Sequence, residues 1–416
     1  MLITGAYAMV VGARMGPFFT ATDTGWYIRL ASGDIHGVMQ PFASRQLGPA
    51  VARFLVWGLH WPLQRAFLLQ GTVSLAVLLA VILLLMMRTA TPRWMLAAVA
   101  VVPFWPQLYY GLVLPDLWYA ALVAVFLVLL ARRHFLTAAC MMFPLMLSRE
   151  STSLLLVCFL IAGWRPLRWR GRLLAVGAAL GGMMIVQHLT AHNPGNKEHL
   201  PEFVYMLSKV PWNFVRNITG IEPWSNVYPQ LCSVPVWQHS LQWGPVHAIG
   251  VCGISDWLPV VTVYEIVSVF GLLPLLAAFL WWRSRHDKGR SLLLNFCLLY
   301  GGITVLLSPV LGAGVGRLLG YGWPFCLVAL PLLFDELRER YAEALRSKGT
   351  VASLGLLGLH LPACALAAAT PSLPIAAFGA GLWVGGFLLL RWWFGPTVEG
   401  AGKRLQNNPQ GTYGEA

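Results

Sequence analysis

The sequence predicts an all-α fold, a polytopic transmembrane helical bundle, and three observations carry that prediction. Of the 416 residues 57% are hydrophobic and 11% charged, and the mean hydropathy is +0.65, outside the composition of an ordinary water-soluble globule. Apolar runs recur along the chain between short basic clusters. Lipid leaves only helices or closed barrels as spanning structures, and the runs lack the alternation of barrel strands, so helices follow. Most of the 29 Lys and Arg residues lie in RTATPR (88–93), ARRH (131–134), RPLRWRGR (165–172), RSRHDKGR (283–290), the stretch 335–349 and the segment after Arg391. The positive-inside rule makes these loops cytoplasmic. The net charge of +13 therefore records topology, and no nucleic-acid partner is implied.

Threading spans between the basic loops gives about 10–12 membrane helices, some short or broken. Residues 2–12 form a short outward span, and 14–63 form the first outer loop. Residues 66–87 return, and 94–113 and 117–130 make a hairpin with its tip outside. After the long outer loop 190–257, spans run near 259–282, 291–310, 318–334, 350–369 and 374–390, with one more at 173–188 before it. Residues 1–394 read as a single transmembrane domain and 395–416 as a disordered cytoplasmic tail. The charge pattern and length fit an integral multi-pass protein of a bacterial inner membrane.

One interval breaks the pattern. Only 30 residues, FLTAACMMFPLMLSRESTSLLLVCFLIAGW, separate the basic clusters at 131–134 and 165–172. Two full spans do not fit, since each half rises about 20 Å against a core of about 30 Å. The segment reads as a V turning at Ser148, Arg149, Glu150 and Ser151. Charges at that depth are tolerated only against protein or a water-filled cavity. Arg149 and Glu150 thus either neutralise each other or line a site.

Two outer segments are long enough to hold chemistry. The first contains TDTGWYIRLASG (22–33) and PFASRQLGP (41–49). Asp23 precedes a helix bearing Trp26 and Tyr27, where it could cap the helix or do chemistry. The second is rich in Trp, Pro, Asn and His and reads as a folded cap; it holds Cys232 and Cys252, which an oxidising compartment permits to pair. Its histidines lack ligand spacing and no cysteines have CxxC spacing, so no metal site is assigned, although a divalent cation is left open. A P-loop motif is absent, which disfavours a nucleotide-sugar donor.

The order of these features resembles the GT-C glycosyltransferases. A short first span is followed by D-x-x-x-Y-x-x-x-A-x-G (Asp23, Tyr27, Ala31, Gly33) and by P-F-x-x-R-x-L-x-P (Pro41, Phe42, Arg45, Leu47, Pro49). Pro115 and Asp116 begin a span, Arg149 and Glu150 mark the vertex, and GVGRLLGYGWPF sets Arg317 just before a late span. The resemblance covers roughly residues 1–335 and implies a GT-C-like bundle whose outer loops cap a cavity. It implies transfer of a sugar from a polyprenyl-phosphate carrier to an acceptor hydroxyl of a glycan, lipid or protein on the outer face, with inversion. Asp23 would be the base. Arg317, Arg149 and Arg45 would receive the carrier phosphate, with Glu150, Asp116 and Tyr27 completing the substrate site. The family often has two acids in the first outer loop, and Asp34 is the second candidate here. Each residue also has a plainer reading: snorkelling for Arg317, headgroup contact for Arg45, helix capping for Asp116, and a buried hydrogen-bonded pair for Glu265. A secondary transporter and an O-antigen polymerase or ligase are the rival functions.

Overall fold

The computed structural model describes residues 2–14, 23–89, 91–194, 210–226, 232–243, 246–285, 290–312, 314–338 and 342–394. The tail 395–416 and Thr22 lie outside the described residues. Six helices are long and apolar enough to cross a membrane: Leu63–Met86, Trp169–Thr190, Leu292–Leu311, Val315–Arg338, Leu345–Ala368 and Leu373–Phe394. Trp257–Phe270 and Leu273–Ser284 together form a seventh, bent by 78°. The chain is an integral multi-pass membrane protein. The larger number of membrane helices expected from sequence is approached only with shorter apolar helices: Leu2–Val11, Leu47–Leu59, Pro115–Ala131, Phe135–Ser148 and Thr152–Ala162.

The all-α expectation needs one correction. Within the long loop, β1 (Ile221–Ser225), β2 (Trp237–Trp243) and β3 (Val246–Ile254) form an antiparallel sheet in the order β1-β3-β2. The β3 sequence VHAIGVCGI starts with apolar residues at every second position, the strand period. Cys232 and Cys252 are joined by a disulfide that ties the segment before β2 to β3.

Two spans expected to be continuous are interrupted, and a third changes helix type without breaking. The run 94–113 splits into Arg93–Ala100 and Phe104–Tyr110. Pro103 and Pro106 remove two backbone donors there, and Trp105 Nε1 donates to the Val99 carbonyl at 2.8 Å across the gap. The run 291–310 contains a π-helical turn at Cys297–Gly301. In the run 259–282 the chain turns at Gly271, whose φ of +55° suits a residue without Cβ; a Cβ would meet His360 Nδ1 at 2.7 Å. An opened helix in lipid must satisfy its freed backbone groups internally. Here Leu272 N–H donates to His360 Nδ1 at 3.1 Å, and Trp383 Nε1 donates to the Gly271 carbonyl at 3.1 Å. Because Nδ1 accepts, the ring proton sits on Nε2, which faces the Ala98 carbonyl at 3.0 Å.

The V is present. Phe135–Cys140 and Met142–Ser148 lead into a turn at 149–151, and Thr152–Ala162 leaves it. Both arms pack on Trp169–Thr190. Arg149 itself is extended, with φ −167° and ψ 139°. The chain therefore leaves one helix and restarts the next with Arg149 and Glu150 at the junction.

Two stability predictions follow from these ties. Replacing His360 with Leu strands the Leu272 N–H in an apolar setting and should cost about 1–3 kcal/mol, read as a lower unfolding midpoint in detergent. A retained midpoint would show that the bend does not need His360. Replacing Cys232 and Cys252 with Ser removes a bridge of the kind that typically contributes about 2–4 kcal/mol. Mass mapping of protein alkylated before lysis should find both thiols blocked in the wild type.

Candidate functional site

Four parts of the fold deliver charged side chains to one place. In the first polar loop, helix Thr24–Ser32 is followed by a 3₁₀ turn at Phe42–Ser44. The Phe42 ring stacks on Trp26 at 6.0 Å and meets Tyr27 edge-on at 6.1 Å. That packing joins the two halves of the loop and brings Arg45 to Tyr27, whose hydroxyl accepts from Arg45 Nη1 at 2.7 Å. Helix Pro115–Ala131 starts with Pro at its first position, where a missing N–H costs nothing, and places Asp116 in its first turn. The V supplies Arg149 and Glu150. Arg317 enters within helix Val315–Gly320, so the late span begins before it and not after it as the sequence suggests.

These side chains form two linked groups of hydrogen-bonded ion pairs. Arg45 grips Glu150 with both arms of its fork, Nε to Oε2 at 3.0 Å and Nη2 to Oε1 at 2.5 Å. Arg149 Nη1 donates to Asp116 Oδ1 at 2.5 Å and to the Tyr321 hydroxyl, and its guanidinium carbon lies 4.3 Å from the Tyr321 ring centre. Arg317 bridges two acids, Nε to Asp116 Oδ2 at 2.8 Å and Nη1 to Asp23 Oδ2 at 3.2 Å. The adjacency of Arg149 and Glu150 joins the groups. Three guanidinium groups thus face three carboxylates. Tyr27 is fully buried, and burial pushes its phenol above the ordinary value against the pull of Arg45.

The carboxylates are not equivalent. Asp116 is buried and receives two charge-assisted bonds, and Glu150 is held bidentately. Asp23 accepts one longer bond, and its side chain is 33% exposed. It does not cap its helix with its side chain, which is how the plainer reading of this residue differs from the observed geometry. Arg317 Nη2 and Arg149 Nε are buried with no hydrogen-bond partner among the described residues.

Asp116 and Arg317 line a cavity of about 330 Å³ together with Tyr264, Glu265, Tyr110 and Trp323. Glu265 Oε2 accepts from the Gly316 N–H at 2.8 Å, which anchors the turn carrying Arg317. The long loop braces the same turn from its other side: Asn217 Nδ2 donates to the carbonyls of Pro309 at 2.7 Å and Gly312 at 3.0 Å. Asp34 stands apart. It pairs with Arg29 at an exposed position and accepts from the Gly37 N–H at 3.0 Å. The Arg29 hydrogen bond holds its carboxyl below the ordinary value. The second acid beside Asp23 is therefore Asp116, reached through Arg317 across 201 residues of sequence.

Asp23, Tyr27, Arg45, Asp116, Arg149, Glu150 and Arg317 are brought together, with Glu265 in the adjoining cavity wall. Tyr321 is the member that sequence reasoning missed. Its signal was its position four residues after Arg317, one helical turn, although that interval contains the turn at Tyr321–Gly322. Among the described residues no group of three or more His, Cys, Asp or Glu side chains is placed to hold a metal ion. In comparisons with known proteins, no family model, no curated relative and no solved structure matches the chain.

Because Asp116 balances two guanidinium groups in a buried setting, replacing it with Ala leaves Arg149 without its carboxylate partner and Arg317 with Asp23 alone. A loss of about 3–5 kcal/mol is expected, read as a large fall in detergent unfolding midpoint. Asp34→Ala removes an exposed pair and should leave the midpoint unchanged. Equal behaviour of the two variants would contradict the cluster's role in holding the bundle.

Proposed function

We propose that this protein is a GT-C-like membrane glycosyltransferase that moves a sugar from a polyprenyl-phosphate carrier to an acceptor hydroxyl of a glycan, lipid or protein. The observation that carries the proposal is that Asp23, free of any side-chain capping bond, shares Arg317 with Asp116 at the edge of a cavity. Supporting it are the unpartnered Nη2 of Arg317 and the aromatic walls of the cavity.

In the proposed step the acceptor oxygen attacks the anomeric carbon while the bond from that carbon to the carrier phosphate breaks. Asp23 takes the acceptor's proton. The leaving phosphate keeps the bonding pair and gains negative charge, which Arg317 receives. The two events are coupled through one guanidinium. As Asp23 becomes neutral it ceases to hold Arg317 electrostatically, and that positive charge is released to the phosphate. Arg149 and Arg45, with Asp116, Glu150 and Tyr27, hold Arg317 and the loop in register. Attack opposite the leaving phosphate inverts the anomeric centre. The step places the phosphate charge on guanidinium groups.

The test is transfer from a radiolabelled polyprenyl-phosphate sugar in reconstituted membranes. Asp23→Asn should bind donor normally and lose on the order of 10² to 10⁴ in turnover. Arg317→Ala should raise the apparent donor KM and also lower kcat. Wild-type turnover by a well-expressed Asp23→Asn protein would remove Asp23 from the chemistry. Vesicle uptake of a solute with no new glycosidic bond would favour the transporter reading, which the 78° break at Gly271 supports.

A further inference from the structure

A second cavity lies at the other end of the bundle. Helix Val315–Arg338 carries Arg317 in its first turn and Arg338 in its last. This stretch is long and apolar enough to cross a membrane, although a turn at Tyr321–Gly322 and a π-helical segment at Pro324–Ala329 interrupt its α-helical geometry. The two arginines therefore belong to opposite membrane interfaces. Around Arg338 the wall is completed by Arg93, at the start of helix Arg93–Ala100, and by Thr350 and Ser353 of helix Ala342–Ala365. The space measures about 880 Å³, and Trp94 and Trp393 form its aromatic walls.

The lining is graded in the way a phospholipid is graded. Arg93 and Arg338 are exposed and have no side-chain hydrogen bond or ion pair among the described residues, and no described lining residue is acidic. Glu336 is turned to Arg290 at 3.6 Å. The same lining holds the hydroxyls of Thr350 and Ser353 and the indoles of Trp94 and Trp393, and indoles are favoured at headgroup level. On the same helix as the hydroxyls, Leu354 and Val351 are 66% and 65% exposed, so the cavity opens onto a face that lipid covers. A guanidinium can hold a phosphate by two parallel hydrogen bonds, and two guanidinium-bearing residues line this space.

We propose that this cavity binds the phosphate headgroup of an anionic phospholipid from the leaflet opposite the Asp23–Arg317 site. The proposal rests on the membrane topology and on the composition of this cavity, and is independent of the glycosyltransferase reading.

The experiment uses the full chain in nanodiscs of phosphatidylcholine containing a minor fraction of phosphatidylglycerol, with lipid retained on the released protein measured by native mass spectrometry. Wild type should retain phosphatidylglycerol in preference to phosphatidylcholine. The double change Arg93→Gln with Arg338→Gln should lower that retention about tenfold. Ser353→Trp fills the cavity without altering charge and should lower it similarly. Arg132→Gln with Arg165→Gln removes the same charge from exposed positions elsewhere in the basic loops and should retain wild-type binding. Excess inorganic phosphate should leave the lipid bound. Retention by the Arg93/Arg338 variant equal to that of the charge-matched control would overturn the proposal, as would equal retention of phosphatidylcholine. Displacement of the lipid by inorganic phosphate would also overturn it and mark a free-phosphate site.

Discussion

Every charge brought into the apolar interior of this protein must be matched there. Arg45, Arg149 and Arg317 meet Glu150, Asp116 and Asp23 in one connected set. A buried ion pair gains little net stability, because desolvation offsets most of its attraction, whereas losing one partner is costly. The set is therefore better understood as a constraint on arrangement than as a source of stability. The first polar loop, the hairpin tip, the V and the late span must all arrive together, or a charge is stranded. This holds the loop against the bundle although the helix Thr24–Ser32 is only nine residues long.

The same demand for internal matching governs the backbone. The breaks at Pro103 and Gly271 open where proline or glycine sits, and side chains from the adjoining helix or from distant ones occupy the gaps. Trp105 closes one break, and His360 with Trp383 closes the bend at Gly271. Water would do this for a soluble protein, but a lipid-facing chain has no such substitute. The breaks place cavity-lining residues on short helices, so that Tyr110, Tyr264 and Trp323 can surround one space.

Within the charged set the distribution of bonds separates a tightly held part from a loosely held one. Asp116 and Glu150 each receive two guanidinium hydrogen bonds, while Asp23 has one, at 3.2 Å. The looser attachment of Asp23 is the feature on which the proposed proton transfer draws. Arg317 belongs to both, touching Asp23 and Asp116 and retaining a donor unmatched by the protein.

The sequence alone determined the class, because hydropathy and the spacing of basic clusters are properties of composition and order along the chain. It also determined the V, since 30 residues between two basic loops leave no other course, and it named every charged member of the central set. What it could not determine was pairing. Asp34 lies eleven positions from Asp23, a separation that already argued against paired action, and Asp116 stands beside Asp23 because Arg317 reaches both. The three-stranded sheet was hidden by the loop's mixed composition, and the bend at Gly271 by an apolar run that reads as continuous. Only the tertiary structure decided these points. Hydrogen bonds and ion pairs act between groups adjacent in space, and adjacency across 201 residues is set by how helices pack.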